Sequence, residues 1–191
     1  KDLLAYLTAA AALAWALASL LYINHDPEGF QGLIQIDRFT TFFRVLAAGI
    51  VFVTALMSAQ YLRTRTKAAA EYYGLLLIAG CGMVYMAAAR ELITAYISLE
   101  LLSFSLYILV GFLRKDRLSS EASLKYILLG AFASAMFLYG MSLIYGITGT
   151  TTYDGISAGL SERGGDTNAA VVVGFMLIIA GVGFKVAAAP F

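Results

Sequence analysis

Charge is scarce in this chain of 191 residues: Asp, Glu, Lys and Arg together make up 13% of it, against about a quarter in an ordinary soluble domain. The 13 basic and 12 acidic residues nearly cancel, and no basic patch interleaves with aromatics, so nucleic acid is not an expected partner. Cysteine is scarcer still. With Cys81 alone, a disulfide framework or a cysteine metal site is excluded, and a free cysteine within an apolar span reads as a small packing residue. The chain also lacks a glycine-rich loop between a strand and a helix, a set of iron–sulfur cysteines and a haem attachment motif. No redox cofactor is expected on it.

What is present is apolar: 61% of the residues are hydrophobic, and the mean hydropathy is +0.81. Six apolar stretches of roughly 18 to 26 residues follow one another, and about 20 residues at 1.5 Å rise cross a hydrocarbon core. They lie near Leu3 to Ile23, Phe39 to Leu62, Tyr72 to Ala89, Leu92 to Phe112, Ala122 to Ile147 and Val171 to Phe191. None has the sustained alternation of a barrel strand, and each is too long for one. Backbone groups in lipid must be satisfied within their own segment, so the expected fold is an all-α integral membrane protein of about six transmembrane helices. The sequence opens on Lys1 and stops at Pro190 and Phe191 inside an apolar segment, which reads as an internal portion of a longer subunit. Residues 1–191 are expected to form one transmembrane helical domain.

Alternate connections divide the basic residues unevenly. Lys1, Arg63, Arg65, Lys67, Arg114, Lys115 and Arg117 fall on one side, and Arg38, Arg90 and Arg163 on the other. The positive-inside rule puts the first group in the cytoplasm. The far side receives the two longer connections, Asn24 to Arg38 and Thr148 to Ala169, whose Gly, Asp, Asn and Thr content reads as solvated loop.

Four charges remain within the spans: Arg44, Glu100, Lys125 and Lys185. Each calls for a reason, because a charge at the bilayer centre costs about 2.5 to 3.5 kcal/mol even on lenient insertion scales. Arg44 is near enough to its helix end for its stem to carry the guanidinium to the interface. Glu100 is not: it lies roughly 18 Å from the cytoplasmic end of its span, too far for a carboxylate to snorkel. Tyr96, Ser103 and Tyr107 stand at i−4, i+3 and i+7 from it, so one helix face carries two phenols, a hydroxyl and the carboxyl. That stripe suits a proton or cation pathway, with a protonated, packing glutamate as the plainer alternative. Lys125 has Glu121 one turn before it, in the order that favours an ion pair, so an interfacial lysine and a functional one both remain open. Gly130 and Ser134, further along that helix, form a small-residue pair that admits a close neighbour. Lys185 lies beyond the midplane, with Gly181 and Gly183 before it and Pro190 after it. Proline disturbs a helix about one turn before itself, and a lysine beside a broken helix meets freed carbonyls and water, a setting in which its proton can move. The plainer alternative is a lysine packed beside an unseen carboxylate.

The runs Ile97-Ser98-Leu99-Glu100-Leu101-Leu102-Ser103, Glu121-Ala122-Ser123-Leu124-Lys125-Tyr126, and Gly183-Phe184-Lys185 with Pro190-Phe191 resemble the subunit N family of proton-pumping NADH:quinone oxidoreductase, bacterial complex I. The similarity covers essentially the whole chain. The relatives of that family include the photosynthetic NAD(P)H dehydrogenase subunit and the Mrp-type cation/proton antiporter subunits. The resemblance implies a bundle of about fourteen helices with two inverted five-helix repeats, each containing a broken helix. On that pattern the six spans correspond to the family's second to seventh helices, and Pro190 to the first helix break. The resemblance assigns Glu100, Lys125 and Lys185 to a proton relay along a central hydrophilic axis. It also implies other complex I membrane subunits as partners, and NADH, FMN, iron–sulfur clusters and quinone on partner subunits rather than on this chain. The expected location is a bacterial plasma (inner) membrane rather than a thylakoid membrane. Two other classes compete with this one: an Mrp-type cation/proton antiporter subunit without a redox partner, and a scaffold in which the charges only hold helices together.

The uneven basic count generates a first test. A cysteine introduced beside Arg65 or Lys115 should react with an impermeant thiol reagent only from the cytoplasmic face, and labelling from outside sealed cells would reverse the orientation.

Overall fold

The computed structural model describes residues 2–21, 28–29, 32–162 and 169–188. Its helices are α1 (Asp2–Leu21), α2 (Arg38–Arg65), α3 (Ala69–Ala88), α4 (Leu92–Val110), α5 (Arg117–Thr148), α6 (Tyr153–Ser161) and α7 (Ala169–Lys185). Among the described residues, α1 to α5 are long and apolar enough to cross a membrane, and α7 is a shorter apolar helix of 17 residues. The chain is a multi-pass helical membrane protein, as its apolar runs imply.

Polar residues set the helix boundaries. Asp37 caps α2 by accepting the Thr40 N–H at 2.7 Å, and Asp116 caps α5 by accepting the Leu118 N–H at 3.1 Å. The Thr40 amide also holds the Asp37 carboxyl below the usual carboxylate range. Gly149 ends α5 in the left-handed region at φ 72°, where a Cβ would be strained, and its N–H reaches the Tyr145 carbonyl at 2.8 Å.

Two parts of the outer connections are more ordered than their composition suggests. Glu28–Gly29 (β1) pairs antiparallel with Ile34–Gln35 (β2), and α6 forms within the stretch read as solvated loop. Thr152 caps α6 by accepting the Gly155 N–H, so a nine-residue helix too short to show as a span starts where the composition suggests a turn. The sixth apolar run ends about one turn before Pro190, where the sequence places a disturbance. Its helix stops at Lys185, and Phe191 and Pro190 lie outside the described residues.

Both ends of the bundle are tied. At one end Arg63 meets Asp2 at 3.8 Å, and the Tyr72 and Phe112 rings meet edge to face, joining the connections that carry most of the basic residues. At the other, Ile34 bridges Ala89, Glu91 bridges Thr152, and the Tyr153 N–H donates to the Arg90 carbonyl at 3.1 Å. Glu91, buried there, accepts hydroxyl hydrogens from Thr94 at 2.7 Å and Thr151 at 2.6 Å. A buried carboxylate is tolerated when its oxygens are hydrogen-bonded in this way.

Side chains are small where helices touch. Ala5, Ala9 and Ala12 of α1 lie in one buried cluster with Val51 and Ala55 of α2 and Leu76 of α3. Lipid tails are as apolar as leucine, so helices gain from meeting only when their backbones approach closely. The closest approach joins α5 to α7: a Cβ at Gly140 would stand 2.6 Å from the Gly174 carbonyl oxygen, and one at Gly181 would stand 2.7 Å from that of Ala133. Cys81 corrects an expectation, since it is exposed on α3 rather than packed. α3 is apolar all round, so sequence periodicity does not say which face turns inward.

These contacts predict unequal responses to added methyl groups. Gly181→Val should force α7 off α5 and lower stability by about 1–3 kcal/mol. Gly146→Ala, where an added Cβ meets nothing within 4 Å, should leave stability unchanged or slightly raised. Thermal unfolding of the two purified variants checks the contrast.

Candidate functional site

α4 is built to present one polar face in an otherwise apolar span. Glu100, Ser103 and Tyr107, at i, i+3 and i+7, project from the same side. α7, antiparallel to α5 as α4 is, brings Lys185 to that face because its glycines hold it against α5.

Lys185 Nζ donates to three groups of α4: Ser103 Oγ at 2.9 Å, Tyr107 OH at 3.1 Å and Glu100 Oε1 at 3.3 Å. An ammonium has three hydrogens, so each has an acceptor. The two charged side chains are 9% and 13% exposed, which removes most of the solvent screening that weakens ion pairs at a surface. The same Glu100 oxygen also accepts the Ser134 hydroxyl of α5 at 2.5 Å. Three helices thus meet on one carboxylate. Tyr107 is further fixed by an edge-to-face contact with Tyr126, ring centroids 4.6 Å apart, and a Cβ at Gly130 would collide with the Tyr107 hydroxyl. The missing side chain at Gly130 is what lets the phenol reach Lys185.

The end of α7 is specific to this place. Ala188 N–H donates to the Gly183 carbonyl at 2.9 Å and Ala187 N–H to the Phe184 carbonyl at 3.1 Å, the paired bonds of a Schellman cap. Ala187 occupies the left-handed position at φ 53°, where an L-residue other than glycine costs about 1–2 kcal/mol. Lys185 is the last residue of the helix, where the negative end of the helix dipole favours a cation.

Of the residues singled out in the sequence, Glu100 and Lys185 come together, and Ser103 and Tyr107 meet the same ammonium. Tyr96 lies one turn away on α4 and packs its ring on Phe137 of α5. Lys125 stands apart from that cluster, in an exposed ion pair with Glu121 at 2.7 Å. Pro190 lies outside the described residues, while the end of α7 is described just before it. Sequence reasoning noted Ser134 only as a small residue beside Gly130. A hydroxyl within an apolar span was the available signal, but nothing in the sequence says which carboxylate, 34 residues away, it meets. Among the described residues, no group of three or more His, Cys, Asp or Glu side chains converges on a metal position.

Residues 89–191 match the family described as NADH:quinone oxidoreductase/Mrp antiporter, TM. The chain belongs to this family. The matched stretch takes in α4 to α7 and so every residue of the cluster around Lys185. Over its whole length the chain is 41% identical to NADH-quinone oxidoreductase subunit N 2 of Rhizobium meliloti, and it spans 39% of that protein. It also superposes on a chain of respiratory complex I from Thermus thermophilus with a TM-score of 0.79 and 30% identity, covering 98% of this chain and 39% of that one. A chain of the Mrp complex from Dietzia shares the fold, with a TM-score of 0.72 at 19% identity, over 98% of this chain and 37% of that one. The partly buried Glu–Lys pair therefore sits within the stretch that matches the family, and the chain spans about two fifths of the relatives it matches.

Proposed function

We propose that this chain is part of a proton-translocating membrane subunit of an NADH:quinone oxidoreductase, with Glu100 and Lys185 as its relay pair. One observation carries the reading: a lysine at a helix end is held by a carboxylate on another helix, both nearly out of solvent. The 41% identity to a complex I subunit supports the redox-linked branch over an Mrp-type antiporter, for which the likeness at 19% identity is one of fold alone. Copurification of the full-length protein with cofactor-bearing subunits supports this branch, and copurification with membrane subunits alone supports the antiporter.

On this reading the chemistry of the chain is electrostatic. Opposite charges in a medium of low dielectric stabilise each other's ionised forms. Drawing Glu100 away leaves the Lys185 ammonium without its counter-charge, which lowers its hold on the proton and lets a neighbouring base of the longer subunit, or water, take it up. Lys125, one residue before the Tyr126 that packs on Tyr107, is assigned a further station at the cytoplasmic edge, with Glu121 as its resting partner. NADH, FMN, iron–sulfur clusters and quinone belong to partner subunits, and the other membrane subunits of the complex are this chain's neighbours in a bacterial inner membrane. Residues 1–191 act as one transmembrane unit of that longer subunit.

The test uses the full-length subunit in its complex, reconstituted in vesicles, with proton uptake measured against electron transfer. Lys185→Met and Glu100→Gln should each cut pumping at least tenfold. Lys185→Arg keeps the charge, but a guanidinium stays protonated and does not release a proton, and it should fail as well. Removing one partner of a buried pair costs about 3–5 kcal/mol, so the double variant Glu100→Gln/Lys185→Met, which strands no charge, guards against a simple assembly defect. Wild-type pumping by the arginine variant would leave Lys185 only as a fixed positive charge.

A further inference from the structure

Glu100 Oε1 is claimed twice, and the two claims are unequal. The Ser134 hydroxyl lies at 2.5 Å from it, within the short range of hydrogen bonds to a carboxylate, while Lys185 Nζ lies at 3.3 Å. A charge-assisted N–H bond is ordinarily about 2.7–2.9 Å, so the ion pair is wider than its chemistry favours. Lys185 is drawn the other way as well, since its shorter bonds run to Ser103 and Tyr107. Neither charge has the other as its nearest partner: Ser134 of α5 holds Glu100, and Ser103 and Tyr107, further along α4, hold Lys185.

Ser134 has one hydrogen and two acceptors within reach, Glu100 Oε1 at 2.5 Å and the Gly130 carbonyl one turn back on α5 at 2.9 Å. With the hydrogen on Glu100 the carboxylate is anchored to α5; with it on Gly130 the carboxylate is free to close on Lys185. Ser134 follows Ala133, whose carbonyl faces Gly181, and Gly181 stands one turn before Lys185 on α7. A shift of the α5–α7 pair against α4 therefore changes both of Glu100's partners together.

We propose that Ser134 is a positioning residue that keeps the Glu100–Lys185 pair loose by competing with Lys185 for one carboxylate oxygen. This rests on the relay reading given above. Without the Ser134 hydroxyl, Glu100 closes on Lys185 to an ordinary ion-pair distance, and the proton is held too firmly to leave at the normal rate.

Four variants in the full-length subunit, assembled in its complex and reconstituted in vesicles, decide the matter. Ser134→Ala and Ser134→Val should slow proton uptake at least tenfold. Ser134→Thr, which matches valine in shape but keeps the hydroxyl, should pump within about twofold of wild type. A structure of the alanine variant should show the Glu100–Lys185 distance shortened to about 2.8 Å. Wild-type uptake by the alanine variant, or equal uptake by the threonine and valine variants, would overturn the role of the hydroxyl. Lys185→Met in the same preparation separates the two readings. If it pumps normally the relay itself fails, and if it does not while Ser134→Ala pumps normally, only the role of Ser134 fails.

Discussion

The position of Lys185 depends on how closely α7 lies against α5. No side chain stands between the backbones where Gly140 meets Gly174 and where Gly181 meets Ala133. In lipid such contact is the main source of helix association, because burying apolar surface gains nothing over the tails. With the two helices fixed face to face, the last residue of α7 lies beside Ser134 and across from the polar face of α4. A bulkier residue at any of these glycines would displace the lysine along with the helix that carries it. The packing contact and the charged site are one arrangement.

That arrangement accepts an energetic cost. Two ions nearly out of solvent lose hydration worth several kcal/mol each, and their attraction offsets this only when the remaining hydrogen-bonding capacity is filled. Here the three hydrogens of the lysine are met by Ser103, Tyr107 and Glu100, and the carboxylate meets Ser134 and Lys185 through one oxygen, Oε1. A pair designed for stability alone would place Nζ nearer the carboxylate. Hydroxyls beside each ion instead accompany a wider spacing, which is what the proposed relay calls for.

The extent to which this was legible in the sequence follows from its physics. Apolar runs longer than a bilayer is thick announced the spans, and Glu100 and Lys185 stood out because nothing else in those runs explained a charge. The stripe of Ser103 and Tyr107 followed from helical periodicity within one segment. Contacts between segments were not readable: Ser134 sits in a helix as apolar on one face as on another, so no pattern pointed it at Glu100. Cys81 was misread for the same reason. For Lys125 the sequence admits two readings, and its neighbour Glu121 does hold it at 2.7 Å, a contact its i, i+4 spacing allows. The helix α6 escaped notice because a cap and nine residues carry less signal than the glycine and threonine around them.

The end of α7 joins these points. A helix that ran on through Val186 and Ala187 would bond its carbonyls internally; instead it closes in a Schellman cap with alanine, not glycine, in the left-handed position. That choice costs about 1–2 kcal/mol, and such strain persists only where surrounding structure imposes it. Stopping the helix at Lys185 puts that residue at the negative end of the α7 dipole. The dipole and Glu100 then both favour the cation, so that withdrawing the carboxylate removes one support and leaves the other. On the proposed relay, a lysine held by two sources of negative potential, one of them fixed in the helix, keeps its place when Glu100 is withdrawn and is in position to take up the next proton.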